Sequence, residues 1–377
     1  MKMLLRELQD DLYAKGITNK ELAKKWGVSS SVVSDVFNSK SQMRFYYLSR
    51  TLNNLYEERD IRVQKLERYI TNTKARNLRE AMEYLSLRGE FRLLKNVVDK
   101  EKESSNCENR EWAYVYDLIL KRYTSNIPPI EWFRSIEKVN RTAKTLEMKI
   151  LTEILLCQAL YQNRNYRSLF DHLKELEIEI NKIKNKFIKN SFTVRYKEAL
   201  SVISLQSGRV DDSRRASKEL LAIYEEDNSF VIPMITALGK VGESFIFDNY
   251  ELAKKYLEEG INYLSTYSDE GLGKKRGMFQ YTLNFLKMFH WRDLEGLEET
   301  LGDIELSYYR FKQGNHKEAE RLLLANKDSG EVSTPFENFY LGLARNDKDL
   351  IKKSLELFEE SGNIFYSKLP KLYLGIL

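Results

Sequence analysis

The sequence is poor in several residue types, and each scarcity excludes something. It has two cysteines in 377 residues, Cys107 and Cys157. Neither has a CxxC partner, so no disulfide framework or thiolate metal cage is available, and buried free thiols in a reducing compartment are expected. The three histidines, His172, His290 and His316, are scattered without metal-ligand spacing. No P-loop, GxGxxG or GxSxG stretch occurs. No enzyme, metal or cofactor is therefore expected. No apolar run approaches the length of a membrane span. The charged N-terminus "MKMLLRELQDDLYAKG" lacks the design of a secretory leader. The chain reads as cytoplasmic, with no membrane partner. Only five prolines and seventeen glycines interrupt it, and period-2 alternation is nearly absent.

What remains is helix-forming. Apolar residues make up 42% and charged residues 31%, with a mean hydropathy of -0.52. Leu, Lys, Glu, Ala and Tyr recur at spacings of three and four, which predicts an all-α protein. The net charge of +5 is uneven. Residues 1–80 hold 16 Lys/Arg against 10 Asp/Glu, and the rest is nearly balanced. The basic excess sits where a nucleic-acid contact is sought first.

The stretch "ELAKKWGVSSSVVSDVFN" from Glu21 carries the sharpest local pattern. Thr18 and Glu21 form a capping box, so a helix should start at Asn19. Leu22, Ala23 and Trp26 share one face, and Gly27 suits a left-handed stop. Val28 plugs the turn, Ser29 or Ser30 caps the next helix, and Val33, Val36 and Phe37 form its buried face. This spacing resembles the helix-turn-helix of phage-type repressors. The outward residues of the second helix, Ser30, Ser31, Ser34, Asp35 and Asn38, can hydrogen-bond bases or phosphates, with Ser29 at its start. Lys24, Lys25, Lys40 and Arg44 flank it and can neutralise phosphates. A further helix should bury Phe45, Leu48, Leu52 and Leu55.

Beyond about residue 80 a polar turn and an amphipathic helix recur: at Gly89, Asn165, Gly208, Asn249, Gly314 and Asn346. Successive turns lie mostly about 32 to 43 residues apart, with a wider gap before Gly314 that suggests an extra helical pair. The expected architecture is a helix-turn-helix domain followed by a right-handed tetratricopeptide-like solenoid. Its divisions are residues 1–70 for DNA binding, 71–360 for the repeats and 361–377 for a C-terminal capping or dimerisation segment. The inner face of a solenoid suits an extended peptide. Gln206, Gln280, Asn284, Tyr308 and Asn338 are candidates to meet a peptide backbone. Lys197, Lys240 and Arg310 are candidates for its carboxylate.

Four segments, "FIKNSFTVRYKEALSVISLQSGRVDDSRRASKELL", "DNYELAKKYLEEGI", "GMFQYTLNFLKMFHWR" and "SLELFEESGNIFYSKLPKLYL", are similar in order and spacing to the AimR receptors of Bacillus phages. The resemblance implies a homodimeric transcriptional regulator that binds double-stranded DNA near its own gene. It also implies a short arbitrium peptide as ligand, controlling the choice between lysis and lysogeny. It places Gln206, Glu243 and Asn363 at peptide-contacting positions. At the last two, well-known members carry asparagine and aspartate respectively, and no arginine precedes "PMITALGKVGES" here. It also points to Leu369, Leu372, Leu374 and Leu377 for dimerisation. A host-encoded quorum-sensing regulator and a repeat adaptor acting by protein contact are the alternatives.

Overall fold

The computed structural model describes residues 1–162, 173, 175–266, 272–325 and 334–376. Among these residues every regular element is helical, as the spacing predicts. The N-terminal helices are α1 (Lys2–Ala14), α2 (Asn19–Trp26), α3 (Ser30–Phe37), α4 (Phe45–Leu55) and α5 (Arg59–Thr71). The repeats begin with α6 (Ala75–Arg88), α7 (Phe91–Lys102), α8 (Cys107–Thr124), α9 (Pro129–Thr142), α10 (Leu146–Gln162) and α11 (Leu176–Asn181). They continue with α12 (Lys186–Gln206), α13 (Val210–Glu226), α14 (Val231–Ser244), α15 (Tyr250–Ser265) and α16 (Gly273–His290). The last are α17 (Asp303–Lys312), α18 (His316–Leu324), α19 (Pro335–Arg345), α20 (Lys348–Ser361) and α21 (Lys368–Leu374). Neighbours in sequence pack on one another through most of the array, which is how a solenoid buries faces that no single hairpin can cover. The repeat turn expected at Asn165 lies outside the described residues.

Two expectations change. Among the described residues the wide gap before Gly314 adds one long helix, α16, between α15 and α17, rather than a helical pair. Trp291, Asp293 and Gly296 all adopt positive φ just beyond it, which ends the helix and leads into a single 3-10 turn at Glu298–Thr300. Cys107 is exposed, whereas Cys157 is buried and its thiol is pushed up to about 12 by desolvation.

The DNA-binding candidate and the repeats share one apolar core, running from Leu4 to Leu369. Phe45 of α4 is fully buried and meets Tyr69 of α5, Tyr84 of α6 and Phe187 of α12 at centroid distances of 6.0, 5.2 and 6.4 Å. Leu48, Leu52 and Leu55 are buried beside it. Close approach elsewhere needs small residues. A Cβ on Gly260 of α15 would lie 2.1 Å from the Phe279 ring of α16. Glu83 and Arg195 form a buried ion pair between α6 and α12 at 2.9 Å, closed by Ser86 and the Tyr116 hydroxyl. Burial opposes the guanidinium charge, but Glu83 outweighs it and holds Arg195 protonated.

Candidate functional site

The first candidate site is built by α2 and α3. Thr18 Oγ1 accepts from the Glu21 amide at 3.2 Å, and Glu21 Oε2 accepts from the Thr18 amide at 2.8 Å. α2 therefore starts at Asn19 and ends at Gly27, whose φ of 71° is left-handed. Trp26 stacks on Tyr47 of α4 at 4.5 Å and donates its indole N–H to Thr51 Oγ1 at 3.1 Å. This locks the angle between the pair of helices and α4. With Val33, Val36 and Phe37 buried, Ser30, Ser31 and Asn38 are exposed and Ser34 and Asp35 half-buried on the outer side of α3. Ser29 takes the N-cap position, but its hydroxyl bonds Ser31 Oγ at 2.8 Å instead of a backbone amide. Asn38 donates to Ser34 Oγ at 3.1 Å. Lys24, Lys40 and Arg44 are exposed.

Lys25 is placed differently from the others. Its ammonium bonds Asn54 of α4, and it lines a recess with Glu225, Glu226 and Asp227 at the end of α13. Arg50 bridges the same recess, donating to the Lys25 carbonyl and to Asp227, each at 3.1 Å. Asn53 adds a bond to Ser229 Oγ at 3.1 Å. These contacts tie α4 to the segment that leads into α14.

The second candidate site lies among the repeats. One cavity of about 210 Å³ takes residues from α8, α10, α12, α14 and α16, including Arg122, Tyr161, Glu198, Lys240 and Lys275. Alternate helices of the array thus share one face. A larger cavity of about 710 Å³ is walled by Tyr281, Phe285, Phe336, Tyr340 and Tyr366, with Asp303, Glu305 and Glu337. A chain of three residues joins them. Tyr366 lines the larger cavity and donates to Glu243 Oε1 at 3.0 Å, while Glu243 pairs with Lys240 of the smaller cavity. Burial works against the Lys240 charge, but Glu243 and Tyr161 more than offset it and keep the lysine protonated. Burial, reinforced by Glu243, holds the Tyr366 hydroxyl well above its usual range.

The remaining predicted residues separate into two groups. Gln206, Lys240, Glu243 and Asn363 fall in one region: the Gln206 carbonyl accepts from the Phe365 amide at 3.1 Å, and Asn363 Oδ1 accepts from the Tyr366 amide at 3.3 Å. The Gln206 side chain is buried, and its Oε1 has no hydrogen-bond partner among the described residues. By contrast Asn284, Tyr308 and Asn338 are fully buried. Asn284 bonds Gln280 and Thr300, Tyr308 stacks on Tyr340 at 4.8 Å, and Asn338 donates to the Thr334 carbonyl. Lys197 and Arg310 are held by Glu219 and Glu298. The sequence reading did not find Tyr281, Phe285, Phe336, Tyr340 and Tyr366. Aromatics at helical spacing read as core, and nothing local marks a cavity wall. At the C-terminus Leu369 is buried in the chain's own core, Leu372 is exposed and Leu374 half-buried. Leu377 lies outside the described residues.

The profile of the family described as AimR transcriptional regulator-like matches residues 62–374. The chain belongs to the AimR family. The AimR regulator of Bacillus phage SPbeta is 23% identical over 346 residues, covering 89% of this chain and 86% of that protein. An uncharacterized Bacillus anthracis protein is 32% identical over 237 residues, 63% of this chain and 87% of its own length. A solved AimR structure described as containing its ligand superimposes with a TM-score of 0.71 at 24% identity, over 86% of this chain and 94% of that one. This AimR chain is accordingly a transcriptional regulator with the family's helical-repeat fold. The Lys240–Glu243–Tyr366 chain joins its two cavities.

Proposed function

We propose that this AimR-family regulator binds duplex DNA through α2 and α3 and is switched by a short peptide in the repeat groove. Residues 1–70 serve as the DNA module, 71–360 as the peptide domain and 361–377 as the cap and dimer contact. It acts in the host bacterial cytoplasm as a homodimer, without enzymatic activity, and sets the lysis–lysogeny choice of a temperate phage. The observation that carries the reading is Gln206. Its buried side-chain oxygen lacks a donor among the described residues, in the region where Glu243 and Tyr366 join the two cavities. A backbone N–H of an extended peptide supplies that donor, and leaving such a group unmet costs about 1–3 kcal/mol.

The coupling element is α14. One end adjoins the Asn53–Ser229 and Arg50–Asp227 contacts with the DNA module. Toward the other lie Lys240 and Glu243. A helix of 14 residues spans about 21 Å, so a peptide that displaces Glu243 acts on a rod reaching the DNA module. Binding shifts the equilibrium only by its differential affinity for the two arrangements.

The test is a DNA mobility shift on the intergenic region beside the gene, with and without a synthetic peptide from the C-terminus of the adjacent small reading frame. Binding by wild type, release by the peptide and loss of binding in Ser30→Glu/Ser31→Glu/Ser34→Glu support the reading. DNA binding indifferent to the peptide removes the switch. No binding by folded protein favours the adaptor. The higher identity to the B. anthracis protein keeps a host-encoded regulator as the second reading. A peptide gene inside a prophage separates the two.

A further inference from the structure

The free cations around α3 do not all lie in the N-terminal module. A cleft of about 450 Å³ opens beside the helix, lined by Asp35, Gln42 and Arg44 together with Lys74 and Arg76 at the start of α6. Arg44, Lys74 and Arg76 are exposed. None forms an ion pair among the described residues. The cleft has two carboxylates. Glu80 is occupied by N–H donors, from the Tyr46 amide at 3.3 Å and from Asn185 Nδ2 at 2.7 Å. Asp35 belongs to α3 itself, where a carboxylate can accept from a cytosine amino group.

The Asn185 contact brings a third element to this side. Asn185 stands between Lys184 and Lys186 in the turn before α12, and both lysines are exposed. Neither has an ion-pair partner among the described residues. The α3–α4 turn and the start of α6 therefore bring Arg44, Lys74 and Arg76 to one flank of α3, and the exposed Lys184 and Lys186 adjoin the residue that bonds the cleft's Glu80. Elsewhere on the module, Lys25 and Arg50 line a recess with three carboxylates, Glu225, Glu226 and Asp227. That acidic recess repels a phosphate backbone, whereas the α6 flank attracts one.

We propose that a DNA strand leaving the α3 contact runs along Lys40, Arg44, Lys74, Arg76, Lys184 and Lys186, so that the repeat domain supplies part of the phosphate-binding surface. The inference rests on the reading of α2 and α3 as a DNA module, and commits to duplex DNA as the occupant. A duplex carries one charge per about 1.7 Å of axis, and each neutralised phosphate adds about 0.9 to the salt slope of binding. These contacts set affinity and register, not base preference.

The experiment measures binding of the full-length protein to a random-sequence duplex across a salt series. The variants are Lys74→Ala/Arg76→Ala and, as a control with the same charge change, Lys348→Ala/Lys353→Ala on α20. All four side chains are exposed, and matched thermal melts verify folding. Lys74→Ala/Arg76→Ala is expected to reduce the slope of log K against log salt by about 2 and to weaken low-salt binding at least about tenfold, with the control unchanged. Equal slopes in wild type and both variants overturn the proposal and leave the DNA module standing. Equal losses in both variants also overturn it, because net charge then explains the effect. A wild type that binds no duplex overturns the DNA reading and this inference together.

Discussion

Tyr366 donates its phenolic hydrogen bond to Glu243 at 3.0 Å, across 123 positions of sequence. Glu243 in turn pairs with Lys240 one helical turn earlier. The bridge stands between the two cavities, so an extended ligand that fills both is expected to displace it. Tyr366→Phe keeps the ring against Phe336 and Phe247 and removes only the hydroxyl. Losing one such bond lowers the cost of opening by about 1 kcal/mol. The peptide concentration for half-release of DNA is expected to fall about fivefold. A fluorescence titration of labelled operator checks it, and an unchanged midpoint removes the bridge from the switch.

Trp26 joins α2 to α4 through a ring stack and one hydrogen bond. Trp26→Ala leaves a cavity under the turn and should cost about 3–5 kcal/mol. Urea denaturation should show the loss. Trp26→Phe keeps most of the packing and should lose much less.

The Glu83–Arg195 pair is buried on both sides. Removing one partner strands a charge, so Arg195→Met is expected to destabilise by about 3–5 kcal/mol. Glu83→Leu/Arg195→Met should recover most of that loss in chemical denaturation. A double variant as unstable as the single one would mean the pair contributes more than its own desolvation.

Glu7 of α1 is gripped by Arg68 and Lys65 of α5, each at 2.6 Å. Hydrogen bonds from Arg68 and then Lys65 lower its carboxyl from the usual 4.5 to about 2. A depressed acid stabilises the fold above its unfolded value, and that stability is lost as pH falls through its folded value. Glu7→Gln should therefore be less stable than wild type at neutral pH. The gap should close as pH falls from about 4.5 to about 2. Denaturant midpoints across that range test the sign, and a constant gap would show that the ion pairs are not its source.

The helix-turn-helix was legible because its signals are local. The Thr18–Glu21 box, the left-handed Gly27 and the Leu22–Ala23–Trp26 stripe act within a turn or two of the backbone. Lys25 shows where such reading stops. Its position on α2 says that it is exposed, but not that Glu225, Glu226 and Asp227, two hundred residues on, would stand before it. The same holds for Asn284, Tyr308 and Asn338. Helical spacing sorts residues onto faces, and in a solenoid nearly every face meets a neighbour.

The sequence by itself determined that the chain is helical, that a capped helix pair stands near its N-terminus, that repeats follow, and to which family it is similar. Period and caps are properties of a few consecutive residues, and the order of motifs is written in the chain. Only the tertiary structure decided which polar residues face a cavity and which are sealed in the core. It alone placed Tyr366 on Glu243, Asp227 on Arg50 and Lys74 beside α3. Those relationships depend on how successive helices rotate and stack, which is set by the summed packing of many side chains and by no single motif.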